Sequence, residues 1–421
     1  MKRNMSQNNP MSSWYDVLKS TSLQHSNQHN NFNKTSTSLP EDLSKLEDDS
    51  LCDENISPWS TLKIASSFYK WRDSLVYEMP NFISKFDWRS ALNKMDGCHL
   101  YGQIMTESSV YFGKVIQGNI WGNGICYIKA KGLFLAGQFK CSKLNGLVRG
   151  YSINPRTGLE LCLICNFKNG LVHSKGWKFL EKGGLLFGKP NEKYEFTGYD
   201  IYYVYPDLKT CYGGYFRRGV MTNGRSGRLI AYRMKNGMFE AQFTIDSKLS
   251  LSYTAPIKYS DYKDHICTHP LIADPYESNL VEVRYVDPIK GEGLFSKIDI
   301  ESGFVVAFYF GVTISEDEKD EGETWEEAAY LIFLDAEESD LRFDIPHDAI
   351  PLYSYSASLG HKVNHSFKSN CDFSTFLHPR FGLIPSLVTT KFVAKGTELV
   401  ANYNYMRSDC PDWFKTQAYH E

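Results

Sequence analysis

The sequence predicts a mainly β protein, an array of stacked β-hairpins followed by a second β-rich domain. Two observations carry this. Between about residues 100 and 225, short strands built around a glycine recur at a regular interval. Beyond Asp274-Pro275-Tyr276-Glu277-Ser278, strand-like stretches alternate with turns, and helical periodicity is confined to Pro411–Tyr419.

The recurring strands are Phe112-Gly113-Lys114-Val115, Ala136-Gly137-Gln138-Phe139, Phe187-Gly188-Lys189 and Tyr212-Gly213-Gly214-Tyr215-Phe216, with a degenerate copy at Cys165-Asn166-Phe167. A second glycine follows at Gly118, Gly146, Gly170 and Gly219, which predicts a turn after each strand. The period is roughly 23 to 28 residues, the length of one supersecondary unit. Stacked hairpins of this kind bury alternate aromatics on one face and give an elongated single-layer sheet. The pattern resembles MORN repeats.

In the second domain the strand-like stretches are Val281–Val286, Phe304–Gly311, Tyr330–Leu334 and Leu383–Thr389. The organisation along the chain therefore reads as a polar, disordered tail at 1–55 and a cap or linker at 56–99. The repeat sheet follows at 100–272, the second domain at 273–406 and a closing helix at 407–421. The cap draws on Ile64, Phe68, Trp71 and Leu75 at helical spacing.

With 421 residues, 42% hydrophobic and 14% aromatic, the chain has material for more than one core. A net charge of -3 argues against a nucleic-acid coat, so no direct nucleic-acid contact is expected. The ten cysteines have no framework spacing, and no apolar run reaches the length of a membrane span. A reducing compartment, cytosol or nucleus, follows. Cys162 and Cys165 have C-x-x-C spacing, but they lie in a strand-like run without a second pair, so packing is the reading and no metal is called for.

Three segments of the second domain carry chemistry. A glycine turn, Lys290-Gly291-Glu292-Gly293, lets backbone approach a ligand, although an ordinary tight turn would look alike. The run Gly360-His361-Lys362-Val363-Asn364-His365-Ser366 packs polar groups into a compact turn. The segment Glu398–Tyr405 alternates apolar residues with tyrosines, as a strand presenting a row of hydroxyls would.

In this order the three segments resemble the SET domain of protein lysine methyltransferases. With the repeats before them they resemble the set-seven/nine type of histone-lysine N-methyltransferase. Tyr203-Val204-Tyr205-Pro206-Asp207 and His378-Pro379-Arg380-Phe381-Gly382 add to the likeness, which covers about residues 100 to 421. The resemblance implies a β-rich SET domain with a knot-like core and a short C-terminal helix. It implies S-adenosyl-L-methionine as cofactor, bound by Lys290, Gly291, Glu292, Asn364, His365, Trp413 and Gln417, with Trp413 stacked on the adenine. It implies Tyr309, Tyr403 and Tyr405 as channel tyrosines, Tyr403 central, and His365 with them in catalysis. Such a channel strips water from a lysine whose free pKa is about 10.4 and so favours the neutral amine.

The substrate side is assigned to Tyr309, Phe373, Pro385 and Tyr403. Here the chain departs from the set-seven/nine type: Phe373 replaces a channel tyrosine and Pro385 a lysine, while Tyr330 replaces a polar residue and Gln417 a carboxylate. The implied partner is a lysine-containing protein or histone-tail peptide, with histone-three lysine at the fourth position the family's expectation. The implied location is the nucleus, on chromatin, with the cytoplasm as a second place. The acidic run Glu316–Glu323, with Glu326 and Glu327, would steer a basic peptide, or is solvated surface. A non-catalytic interaction scaffold is the alternative to an enzyme.

Overall fold

The computed structural model describes residues 102–105, 108–154, 158–180, 182–235, 238–263, 265–314, 329–333 and 342–404. The expected tail, cap, acidic run and closing helix lie outside them, as do Tyr405, Trp413 and Gln417.

The first part is one antiparallel sheet in which strands pair in chain order. Its strands are β1 (Gly102–Met105), β2 (Ser109–Ile116), β3 (Asn119–Ile128), β4 (Leu133–Lys140), β5 (Lys143–Asn154) and β6 (Gly158–Lys168). They continue with β7 (Leu171–Val172), β8 (Gly176–Phe179), β9 (Leu185–Gly188), β10 (Gly198–Val204), β11 (Thr210–Arg217), β12 (Val220–Lys235) and β13 (Met238–Ile245). Only β7 sits off this path, paired to β6.

The turns follow the repeat. Gln117-Gly118, Asn169-Gly170 and Arg218-Gly219 each form a two-residue loop with both φ positive, the geometry that matches strand twist. Gly146 differs from expectation. Its hairpin turns at Cys141-Ser142 (φ 49° and 60°), and Gly146 (φ 82°) lies inside β5, where the pairing with β4 slips. A left-handed glycine there makes a bulge, not a turn. Cys162 and Cys165 both lie on β6, where Cys165 is buried in the core and Cys162 is half-buried against it, in keeping with the packing reading.

The second part opens with a one-turn helix α1 (Glu277–Leu280), which the sequence pattern did not signal. Its strands are β14 (Val281–Asp287), β15 (Gly291–Ser296), β16 (Val305–Phe308), β17 (Val312–Ile314) and β18 (Ile332–Phe333). They continue with β19 (Arg342–Asp344), β20 (Asn364–His365), β21 (Cys371–His378), β22 (Gly382–Thr389) and β23 (Glu398–Ala401). One sheet runs β14-β15-β23-β21-β22-β16 with β20 paired to β23, and a small sheet runs β17-β19-β18. A single apolar core, including Leu135, Phe167, Tyr205, Phe308, Phe376 and Leu399, is continuous through the repeat sheet and the second part.

Candidate functional site

The three segments expected to carry chemistry meet around β23. Leu294 and Phe295 of β15 pair antiparallel with Leu399 and Glu398, while Asn364 and His365 of β20 pair parallel with Val400 and Ala401. Asn364 Nδ2 donates to Glu398 Oε1 at 2.8 Å and to the Glu292 carbonyl at 3.2 Å. Among the described residues nothing donates to its carboxamide oxygen. A Cβ on Gly293 would stand 2.7 Å from Glu398 Oε1 and 2.9 Å from Asn364 Nδ2. The missing side chain there is thus used by the protein's own groups, where the sequence suggested room for a ligand. Gly291 is the open one: it needs its φ of +67°, and a Cβ on it would meet nothing within 4 Å.

The turn before it is set by Asp287, whose Oδ1 accepts the amide hydrogens of Ile289 and Lys290 at 2.8 and 2.7 Å. Those donors hold the Asp287 carboxyl below its usual pKa. The Lys290 side chain is exposed. Glu292 is engaged by Lys362, whose Nζ lies 2.7 Å from its Oε2 with only 6% of the lysine side chain exposed. A buried ammonium requires such a partner.

The expected strand Glu398–Tyr405 stops at Ala401, and Asn404 turns with φ +54°. Tyr403 therefore lies beyond the strand end, and its position comes from side-chain bonds. Its amide donates to His365 Nδ1 at 3.2 Å, which puts the imidazole proton on Nε2, and its hydroxyl donates to the Val363 carbonyl at 2.6 Å. Asn370 braces the same strand, donating to the Glu398 carbonyl at 2.8 Å and accepting the Val400 amide at 2.9 Å.

Tyr309 follows β16, is buried, and gives its hydroxyl proton to the Tyr330 carbonyl. Its amide donates to the Pro385 carbonyl at 2.9 Å, so Pro385, itself buried, acts on this wall through its backbone. Phe373 is half-buried on β21 opposite Leu387, and Pro385 stands opposite Thr375. The Gly360 turn rests on this wall: a Cβ there would lie 2.6 Å from the Phe308 carbonyl. Beside it the His361 ring, 5% exposed, is enclosed by Tyr309, Tyr330 and Tyr355. Burial, with the Lys362 charge, lowers its pKa to about 3, so it stays neutral.

Below the wall, Glu277 is 1% exposed and its Oε1 accepts the amides of Phe308 (2.8 Å) and Leu359 (2.9 Å). It clasps the residue before Tyr309 to the residue before Gly360. Burial, and then the Asp274 carboxylate, push its pKa well up.

The structure thus bonds Asn364 to Glu292, next to Gly291, and His365 to Tyr403 around β23, and separately bonds Tyr309 to Pro385. Lys362, Asn370, Glu398 and Glu277 were missed as parts of the site. The first and third stood inside the motifs already singled out, whereas Asn370 and Glu277 carry no local signal.

Two modules share this chain: a repeat sheet, and a second β-rich domain that gathers a polar cluster around β23. Residues 291–404 match the SET domain family, and residues 167–240 match the family described as Histone H3 K4-specific methyltransferase SET7 N-terminal. The chain thus carries a SET domain behind an N-terminal region of the SET7 type. It is 34% identical over 252 residues to the Histone-lysine N-methyltransferase SETD7 of Halocynthia roretzi. That match covers 57% of this chain and 62% of the relative, so the chain spans less than two thirds of the relative's length.

Proposed function

We propose that this protein is an S-adenosylmethionine-dependent protein lysine N-methyltransferase. The observation that carries the reading is the junction at β23. There the Gly291 turn, Asn364 and His365 are bonded into one cluster with Tyr403. The group fits these residues: the Asn364 carboxamide oxygen is an acceptor suited to a cationic amine, and the backbone at Gly291 is open to close approach. Lys290, Gly291, Glu292, Asn364, His365, Trp413 and Gln417 would hold it, with Trp413 on the adenine. When bound it supplies an electrophilic methyl on a sulfonium.

Tyr309, Tyr403, Tyr405 and Phe373 exclude water from a lysine side chain and so favour its neutral form. The hydroxyl protons of Tyr403 and Tyr309 are committed to the Val363 and Tyr330 carbonyls. Their oxygens therefore act as acceptors that orient the amine's N–H bonds and aim its lone pair. His365 positions Tyr403 through the backbone bond to Nδ1.

The substrate is a lysine-containing protein, with histone tails first to be tested and histone-three lysine at the fourth position before others. The acidic run at 316–327 would draw in such basic segments. A nuclear, chromatin-facing role follows from that choice. The scaffold alternative is not favoured, because Gly291, Gly293, Asn364, His365 and Tyr403 are all retained. Calorimetry with S-adenosylmethionine, followed by mass spectrometry of a histone-tail peptide, tests the reading, with His365→Ala as control. Binding and a methyl mass gain in the wild type, both lost in the control, are expected; a control that methylates like wild type would overturn the site.

A further inference from the structure

Tyr203–Asp207 and His378–Gly382 stood out in the sequence and have no place in the chemistry above. In the structure they are in contact, although Tyr205 and His378 are 173 residues apart. Tyr205, just after β10, donates its hydroxyl to Asp274 Oδ2 at 2.6 Å. The same oxygen lies 3.1 Å from His378 Nε2, and the Tyr205 hydroxyl 3.2 Å from it. His378 Nδ1 accepts the Arg380 amide at 3.1 Å, which places the ring proton on Nε2, facing Asp274. Asp274 Oδ1 accepts the amides of Tyr276 and Glu277 at 2.9 and 3.0 Å.

Tyr203 adds a second tie. Its hydroxyl accepts the Gly184 amide at 3.0 Å and donates to the Leu377 carbonyl at 2.9 Å. Leu377 also donates its amide to Lys182 and forms a bridge with Gly183, so the end of β21 extends the loop between β8 and β9. On the far side the Thr254 amide donates to the Arg380 carbonyl at 2.7 Å. The Arg380 guanidinium, 1% exposed, donates to the carbonyls of Ile272 and His269.

These bonds hold the turn between β21 and β22, the hairpin that carries Phe373 and Pro385. The Pro385 carbonyl then holds the Tyr309 amide at 2.9 Å. We infer that the repeat sheet is part of the frame of the substrate channel, and that Tyr203 and Tyr205 are positioning residues acting on Tyr309 through the β21–β22 hairpin. This rests on reading the site as a lysine channel. Close-packed interiors transmit displacement, and a reacting centre tolerates little of it. The cofactor-side cluster of β15, β20 and Asn364 lies outside this path, which gives the idea a signature.

The test uses the full chain with Tyr203→Phe and, separately, Tyr205→Phe, each keeping its ring and losing one hydroxyl. Hydrogen exchange should quicken about fivefold across 371–389, the size of one buried hydrogen bond, and stay unchanged across β15. kcat/KM toward a lysine peptide should fall at least about fivefold, with cofactor affinity unmoved. Unchanged exchange across 371–389 in both variants would overturn the inference. So would equal loosening of β15 with matching loss of cofactor affinity, which marks a general fold defect. If Tyr203→Phe does not fold, Tyr205→Phe alone decides by the same criteria. A wild type inactive on every lysine peptide would sink the lysine reading, while exchange would still decide whether the sheet holds the hairpin.

Discussion

Replacing Glu277 with glutamine should flatten the pH dependence of stability above pH 4.5. The wild-type carboxyl is 1% exposed and held by two backbone amides, and burial beside Asp274 raises its pKa well above the ordinary 4.5. Between 4.5 and that raised value the folded state keeps a proton that the unfolded state has lost. Stability then falls as pH rises, by about 1.4 kcal/mol per pH unit. Below 4.5 both states are protonated and the contribution is fully present. Glutamine keeps the accepting oxygen and never ionises. Its amide nitrogen takes the place of Oε2, which has no partner among the described residues, and shifts stability by a constant, about 1–3 kcal/mol at most. The difference between the two curves should therefore move steadily in glutamine's favour as pH rises from 4.5 toward the raised value, and level off beyond it. Urea denaturation at half-unit steps from pH 4.5 to 8 gives both curves. Parallel curves would refute the argument, since they would mean that the carboxyl titrates alike in both states. Glu277→Ala, which orphans the Phe308 and Leu359 amides, should cost about 2–6 kcal/mol at every pH.

Three further outcomes follow from the site. Tyr403→Phe should lower kcat by about 10²-fold or more while cofactor affinity by calorimetry stays near wild type, because one orienting oxygen is lost; an unchanged kcat would make Tyr403 only a wall. Gly293→Ala should weaken cofactor binding at least about tenfold, since its Cβ would displace Glu398 and Asn364 from 2.7 and 2.9 Å contacts; wild-type affinity would show that the crowding relaxes harmlessly. Phe373 leaves out a hydroxyl, so a monomethyl-lysine peptide should be carried to dimethyl-lysine by the wild type and not by Phe373→Tyr; mass spectrometry giving the same product from both would show that Phe373 does not set multiplicity.

What the sequence determined by itself is what neighbours along the chain decide. Left-handed turns at Gln117-Gly118, Asn169-Gly170 and Arg218-Gly219 are written in local residue choice, because a positive φ is a local cost. Repeat spacing and strand alternation placed the sheet, and the order of the Gly291, Asn364 and Tyr403 segments marked where the site would gather. Tertiary structure decided the rest. Gly146 became a bulge because the register with β4 slips, and β23 ended before Tyr403, which is held by His365 and Val363 instead. Gly293 is glycine because Glu398, more than a hundred positions later, needs the room. Glu277 and Asn370 look like ordinary polar residues until Phe308, Leu359 and Val400 bring them their unpaired backbone groups. The meeting of Tyr205 with His378 is of the same kind: each partner's burial and hydrogen-bonding need exists only after residues 173 positions apart are brought together, and no local pattern records it.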